Sequence, residues 1–208
     1  EVNALAVARD GTWLASGGID ETVRIWDLPD GRERAVLTGH AEPVTALVAA
    51  PDGRWLASGS FDETVCIWDT AAGQKQATLT GHSGGVAALA VAPDGSWLAS
   101  AGYAGTVYIW DAELGRKRAE LPTRLGGWSL AVAPDGRWLA TGGGDGSVRM
   151  WDVTAQQEQA VFTGHTGPVR ALAVAPEGRW LASGSDDGTI RVWDVASARI
   201  LALMRVDS

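Results

Sequence analysis

The stretch GRWLASGSDDGTIRVWD, Gly178 to Asp194, decides how the rest of the chain is read. It returns as GTWLASGGIDETVRIWD (Gly11–Asp27), GRWLASGSFDETVCIWD (Gly53–Asp69), GSWLASAGYAGTVYIWD (Gly95–Asp111) and GRWLATGGGDGSVRMWD (Gly136–Asp152). The closing Trp-Asp pairs start at Trp26, Trp68, Trp110, Trp151 and Trp193, at intervals of 42, 42, 41 and 42 residues. A fixed period of this size marks one supersecondary unit copied along the chain, each copy leaning on the next.

The second copy serves as template. Val44–Ala49 reads as a first strand, and Pro51-Asp52-Gly53 as a turn, since Pro fixes φ and Gly permits φ > 0. Trp55–Ser60 is a second strand, Asp62-Glu63 a turn, Thr64–Asp69 a third strand and Gln76–Gly81 a fourth. Leu56, Ala57, Ile67 and Trp68 put bulk on both faces of this sheet, so it needs cover on both sides. Stacked blades supply that cover. No window carries a helical period with caps.

The chain is identified as a member of the WD40-repeat family on five elements in fixed order: Gly-His, Pro-Asp-Gly, Leu-Ala-Ser-Gly, Asp, Trp-Asp. The resemblance covers all 208 residues. It implies an all-β propeller of five four-stranded antiparallel blades, either a five-bladed ring or part of a larger ring, that docks partners and is usually non-catalytic. The blades are expected at 1–38, 39–80, 81–122, 123–163 and 164–208, within a single propeller domain or segment spanning 1–208. The resemblance also implies a buried hydrogen-bond chain in each blade. The second repeat carries it in full as His40, Ser58, Asp62 and Trp68, and the fifth as His165, Ser183, Asp187 and Trp193. The first has Ser16, Asp20 and Trp26. The third has His82, Ser100 and Trp110 but Ala104 in place of Asp, and the fourth has Thr141, Asp145 and Trp151 but LPTR (Leu121–Arg124) in place of LTGH. Arg124 is expected either to pair with Asp145 or to leave it facing water. His82, without an acid, is expected to be held more loosely than His40 or His165.

Composition narrows the function. Net charge is −8, which argues against a phosphate-binding footprint and so against nucleic acid or an anionic membrane as partner. Cys66 is the only cysteine; it reads as a small core residue, and one thiol cannot form a disulfide within the chain, in keeping with a reducing, cytoplasmic setting. The apolar runs are too short to span a bilayer. Of 17 basic residues 15 are Arg, a bias that suits a bacterial gene.

Ser, His and Asp together invite a hydrolase reading, but the set recurs at the structural period, includes a Trp, and lacks a strand–nucleophile–helix elbow. No catalytic residue is expected. His40, His82 and His165 sit at equivalent positions of different repeats with no cysteine cluster, so no metal site is expected. Gly142–Gly146 lacks the Lys-Ser/Thr of a phosphate loop, and no cofactor is expected. Trp13, Trp55, Trp97, Trp138 and Trp180 read as covers over neighbouring blades.

Function on a repeat scaffold lies where the copies differ. The residue before the network Asp is Ile19, Phe61, Tyr103, Gly144 and Asp186 in turn. In WD40 proteins this turn lies on the face where partners dock. Ile19, Phe61 and Tyr103 predict an apolar arc, extended by Trp128, which stands where other repeats have Val. The expected partner is a protein or peptide, and the module a docking or sensor part of a larger bacterial signalling protein. The second reading is a structural or engineered propeller that self-assembles through its end blades. Three closures stay open: a five-bladed ring, a piece of a longer array, which the missing Gly-His before Val2 favours, and an arc completed by another chain.

Overall fold

A computed structural model describes residues 1–123 and 126–205. It contains twenty strands in five sheets. The first blade is β1 (Val2–Val7), β2 (Trp13–Gly18), β3 (Val23–Asp27) and β4 (Arg32–Leu37). The second is β5 (Val44–Ala49), β6 (Trp55–Ser60), β7 (Val65–Asp69) and β8 (Gln74–Leu79). The third is β9 (Val86–Val91), β10 (Trp97–Gly102), β11 (Thr106–Asp111) and β12 (Arg116–Pro122). The fourth is β13 (Gly127–Val132), β14 (Trp138–Gly143), β15 (Val148–Asp152) and β16 (Gln157–Phe162), and the fifth β17 (Val169–Val174), β18 (Trp180–Ser185), β19 (Thr189–Asp194) and β20 (Arg199–Arg205). Each sheet is an antiparallel meander in sequence order.

The turn chemistry explains the strand limits. Gly53 adopts φ 70° and its N–H bonds Ala50 O at 2.9 Å, while Asp52 Oδ1 accepts from the Arg54 amide at 3.0 Å. The Trp-Asp carboxylate has its own task. Asp69 Oδ1 accepts from the amides of Ala71 and Ala72 at 2.9 and 2.7 Å, and Asp111 and Asp194 fold their turns similarly. Gly73, at φ 63°, closes this turn. β8 therefore begins at Gln74, two residues before the expected start at Gln76, and ends at Leu79.

The blades stack in sequence order. β1 packs on β5, β5 on β9, β9 on β13 and β13 on β17, so the first strands form the hub and the fourth strands lie outside. No such packing joins β17 to β1 among the described residues, and the five blades form an open arc. Each blade has a leading face toward the next blade and a trailing face toward the previous one. Four apolar cores fill the four contacts. The first joins Ala15, Val23, Ile25 and Leu37 of the first leading face to Val44, Leu56, Cys66 and Trp68 of the second trailing face. The other three repeat the pattern. Cys66 is fully buried there. Trp13, in the same core, has its indole 3.7 Å from the Cβ position of Gly53 in the next blade, a cover over its neighbour.

Close approach at the hub depends on one glycine per contact. A Cβ on Gly17 would lie 2.6 Å from Val44 Cγ1, one on Gly59 2.5 Å from Val86 Cγ1, and one on Gly142 2.7 Å from Val169 Cγ1. Between the third and fourth blades the sizes are exchanged: Ala101 holds the Gly position and Gly127 the Val position. Every blade also carries a β-bulge just after that valine position, as between Val44 and Ala46. The bulged residues are Asn3, Thr45, Ala87, Trp128 and Arg170.

This corrects the placement of Trp128. The register Gly127↔Gly143 matches Val44↔Ser60, so Gly127, not Trp128, stands where other blades have Val. The residue missing from the 41-residue interval falls before β13 rather than inside it, and Trp128 is turned out of the ladder by the bulge.

Candidate functional site: the rim of the second-to-third strand turns

Two side-chain systems meet at these turns, one buried and one exposed. The buried one is the polar thread. Trp68 Nε1 donates to Ser58 Oγ at 2.7 Å. His40 Nε2 lies 2.7 Å from the same oxygen, and His40 Nδ1 lies 2.8 Å from Asp62 Oδ2. An indole N–H can only donate. The serine hydroxyl therefore gives its own proton to His40 Nε2, leaving Nδ1–H for Asp62. The fifth blade repeats the thread with Trp193, Ser183, His165 and Asp187 at 2.8, 2.8 and 3.0 Å. The carboxylate also takes the turn amides: Asp62 accepts from Ala41 at 3.0 Å and from Thr64 at 2.9 Å. Burial pushes the Asp62 carboxyl up, but the bonds from Thr64, the Ala41 amide and His40 outweigh it and hold it below the usual carboxylate range.

Burial also opposes protonation of His40. The Cys66 sulfur, 3.9 Å from Nδ1, and the Asp62 carboxylate outweigh it and raise the ring above its usual value. His82 behaves oppositely. It keeps Ser100 at 2.7 Å and packs edge-on against Tyr108, but Ala104 offers no carboxylate. Burial, helped by Lys117, lowers it from 6.5 to about 4. In the fourth blade Trp151 donates to Thr141 at 3.1 Å. Thr123 stands four residues before Gly127, as His40 stands four before Val44; it is buried and its hydroxyl has no partner among the described residues. Arg124 lies outside the described residues. Asp145 has two other partners: it accepts from Ser147 at 2.6 Å and pairs with Arg149 at 3.0 Å.

These threads brace the sheets. Ser58 and Ser100 are fully buried and Ser183 nearly so, each already engaged by an indole. A hydroxyl so placed meets no substrate. A satisfied buried network instead fixes one strand arrangement.

The exposed system lies above the threads. Phe61 and Tyr103 are 47% and 45% exposed, and their rings stack at 5.7 Å between centroids with 13° between planes. They come from neighbouring blades, so the stack bridges a blade contact. Ile19 holds the same turn of the first blade and is also exposed. Trp128 is half-buried, and its indole lies close to Gly126, which in turn lies near the Tyr103 carbonyl. The Arg170 guanidinium sits 3.8 Å from the Trp128 ring centre and forks onto Asp186 with N···O distances of 2.7 and 2.9 Å. That pairing lowers the Asp186 carboxyl and raises Arg170. Asp186 is thus an ion-paired residue rather than a free acid. Phe61, Tyr103, Trp128, Arg170 and Asp186 follow one another along the rim. Sequence reasoning missed Arg170, because the bulge that turns it onto Trp128 leaves no mark in composition or period.

The fold and its threads define a WD40 β-propeller. A family model described as IFT122 first beta-propeller matches residues 1–207, and the chain belongs to this WD40 β-propeller family. Propellers of this kind generally mediate protein–protein contacts and are typically non-catalytic. The chain is also similar over 44 residues, close to one repeat, to two fungal proteins. It is 56% identical there to ribosome biogenesis protein erb1 of Aspergillus niger and 62% identical to that of Emericella nidulans. The matched segment is 21% of this chain and 6% of each relative. Among the described residues no helix is long and apolar enough to cross a membrane.

Proposed function

We propose that this chain is a non-catalytic docking platform for a protein or peptide, gripped by Ile19, Phe61, Tyr103 and Trp128 with the Arg170–Asp186 pair at the end of the rim. The exposed Phe61–Tyr103 stack carries this reading. Two half-exposed aromatic rings in contact offer a rigid apolar platform at little entropic cost. A net charge of −8 supports a protein partner over nucleic acid or an anionic membrane. The wider setting we infer is a cytoplasmic docking or sensor module of a larger bacterial signalling protein; the Arg-over-Lys bias and the single cysteine support it. Burial of the thread serines supports an absence of catalysis.

The test uses peptides selected from a random displayed library on the wild-type chain. Against Phe61→Ala/Tyr103→Ala their affinity is expected to fall at least about tenfold, the range for losing central aromatic anchors, with little change in melting temperature. Equal affinity for both proteins overturns the reading. A second reading is a structural propeller that associates through its end blades. The apolar blade-on-blade packing repeated at four contacts supports it.

A further inference from the structure

The third blade keeps the donors of the thread but lacks the acceptor. In the second and fifth blades one carboxylate collects the donors at the turn. Asp62 takes His40 Nδ1 at 2.8 Å, the Ala41 amide at 3.0 Å, and the Thr64 amide and hydroxyl at 2.9 and 2.7 Å. Asp187 takes His165, Thr166 and Thr189 in the same way. The third blade has His82, Ser83 and Thr106 at those positions and Ala104 at the position of the acid. Trp110 donates to Ser100 at 2.8 Å, so the serine proton goes to His82 Nε2 and the ring hydrogen sits on Nδ1. Among the described residues neither that Nδ1–H nor the Ser83 amide has a hydrogen-bond partner. His82 is only 7% exposed, yet Ala104 and Ser83 lie at the surface, so the notch between them can be entered from outside.

The entrance carries little side-chain bulk. Ser83-Gly84-Gly85 stands where the second blade has Ala41-Glu42-Pro43. A Cβ on Gly84 would lie 3.4 Å from Ala104 Cβ, and one on Gly85 2.6 Å from Phe61 Cδ1. The Phe61 ring therefore rests against the glycine pair, and Tyr103 directly precedes Ala104. The notch sits at the foot of the aromatic stack. Its donor set can hold a charge away from water. Burial raises the Asp62 and Asp187 carboxyls, but the equivalent bonds outweigh it and leave both below the usual carboxylate range. A net charge of −8 disfavours a run of acids as ligand. A single carboxylate on an apolar segment suits both the notch and the stack.

We infer that a partner peptide inserts one Asp or Glu side chain beside Ala104, where its carboxylate accepts from His82 Nδ1–H and the Ser83 amide. An adjoining apolar residue of the peptide packs on Phe61 and Tyr103. This rests on the reading of the rim as a docking surface, and it adds the chemistry of the ligand. The partner completes from outside the thread that the second and fifth blades complete from within.

The test uses peptides selected from a random displayed library on the wild-type chain, each made again with its Asp or Glu changed to Asn or Gln. The amide form is expected to bind the wild-type chain about tenfold more weakly or worse, the range for losing a charged hydrogen bond. Ala104→Asp fills the notch from within and completes the thread, so its fold is not at risk. It is expected to weaken the acidic peptide to the same degree and to erase the difference between acid and amide. Selected peptides without an acid, equal affinity of acid and amide, or an acidic peptide held as tightly by Ala104→Asp each overturn the inference. Phe61→Ala/Tyr103→Ala separates it from the rim reading. If that variant weakens peptides indifferent to the acid, the rim stands and the notch falls. If the acid matters and the aromatic pair does not, the aromatic grip falls and the carboxylate site stands. A library that yields no binder overturns both.

Discussion

Ser58 serves one donor and one acceptor through a single hydroxyl: it accepts from Trp68 and gives its proton to His40. Removing its hydroxyl leaves an indole N–H and an imidazole nitrogen buried without partners, at about 1–3 kcal/mol each. Ser58→Ala is expected to lower stability to denaturant by roughly 2–6 kcal/mol. Ser16→Ala in the first blade, where Ser16 bonds only Trp26 among the described residues, is expected to cost clearly less. The histidines carry opposite signs. His82 is lowered to about 4 from 6.5, so the unfolded chain binds a proton that the native chain refuses. Its contribution to stability is lost as pH falls through that interval. His40 is raised, so its contribution is present at acid pH and lost as pH rises through its folded value. Ala104→Asp supplies the missing acid. It is expected to raise the His82 titration, followed by NMR, by more than one pH unit and to reduce the acid loss of stability. The thread residues were expected from the WD40 resemblance, which the fixed period allowed to be carried over position by position. The absence of a carboxylate beside His82 was legible for the same reason. Thr123 was not, since the alignment at LPTR depends on where one residue is missing.

At the scale of the strand, the glycine of the second strand and the valine of the next blade set how closely sheets approach. Gly59→Ala puts a methyl 2.5 Å from Val86 Cγ1 and 2.9 Å from its Cβ. The hub must open, at about 1–3 kcal/mol for overpacking a tight core. Gly184→Ala, where that space is open, is expected to leave the melting temperature nearly unchanged. Thermal unfolding of the two variants side by side checks the pair. The strands themselves could be read from Pro-Asp-Gly and Trp-Asp punctuation, within two residues at β8. The bulges could not. A bulge leaves one residue unpaired and shifts the local register, and in strands as short and uniformly apolar as these the shift leaves no mark in the sequence, so Trp128 was assigned to the valine position and Arg170 escaped notice. Both belong to the rim because the bulge re-aims them.

For the whole molecule, burial predicts how protection is distributed. Every residue of β10 is buried, whereas every residue of β20 and most of β1 are exposed. Amide exchange is expected to be slowest in the second and third blades and fastest in β1 and β20. The blade count and the order of stacking followed from the period alone. Whether the arc closes did not, because closure depends on the angle between blades, and a repeat encodes its neighbour contact without encoding that angle.

The Val-over-Gly seat has a consequence for how such a gene changes. The first, second and fifth units each carry both the valine and the glycine, so inserting or deleting one such 42-codon segment rejoins surfaces that already fit, while the third and fourth, with Ala101 and Gly127 exchanged at their shared contact, move as a pair. Array length can drift by unequal recombination while every junction is preserved. Selection then acts on the rim, where one substitution alters recognition and leaves the stacking untouched.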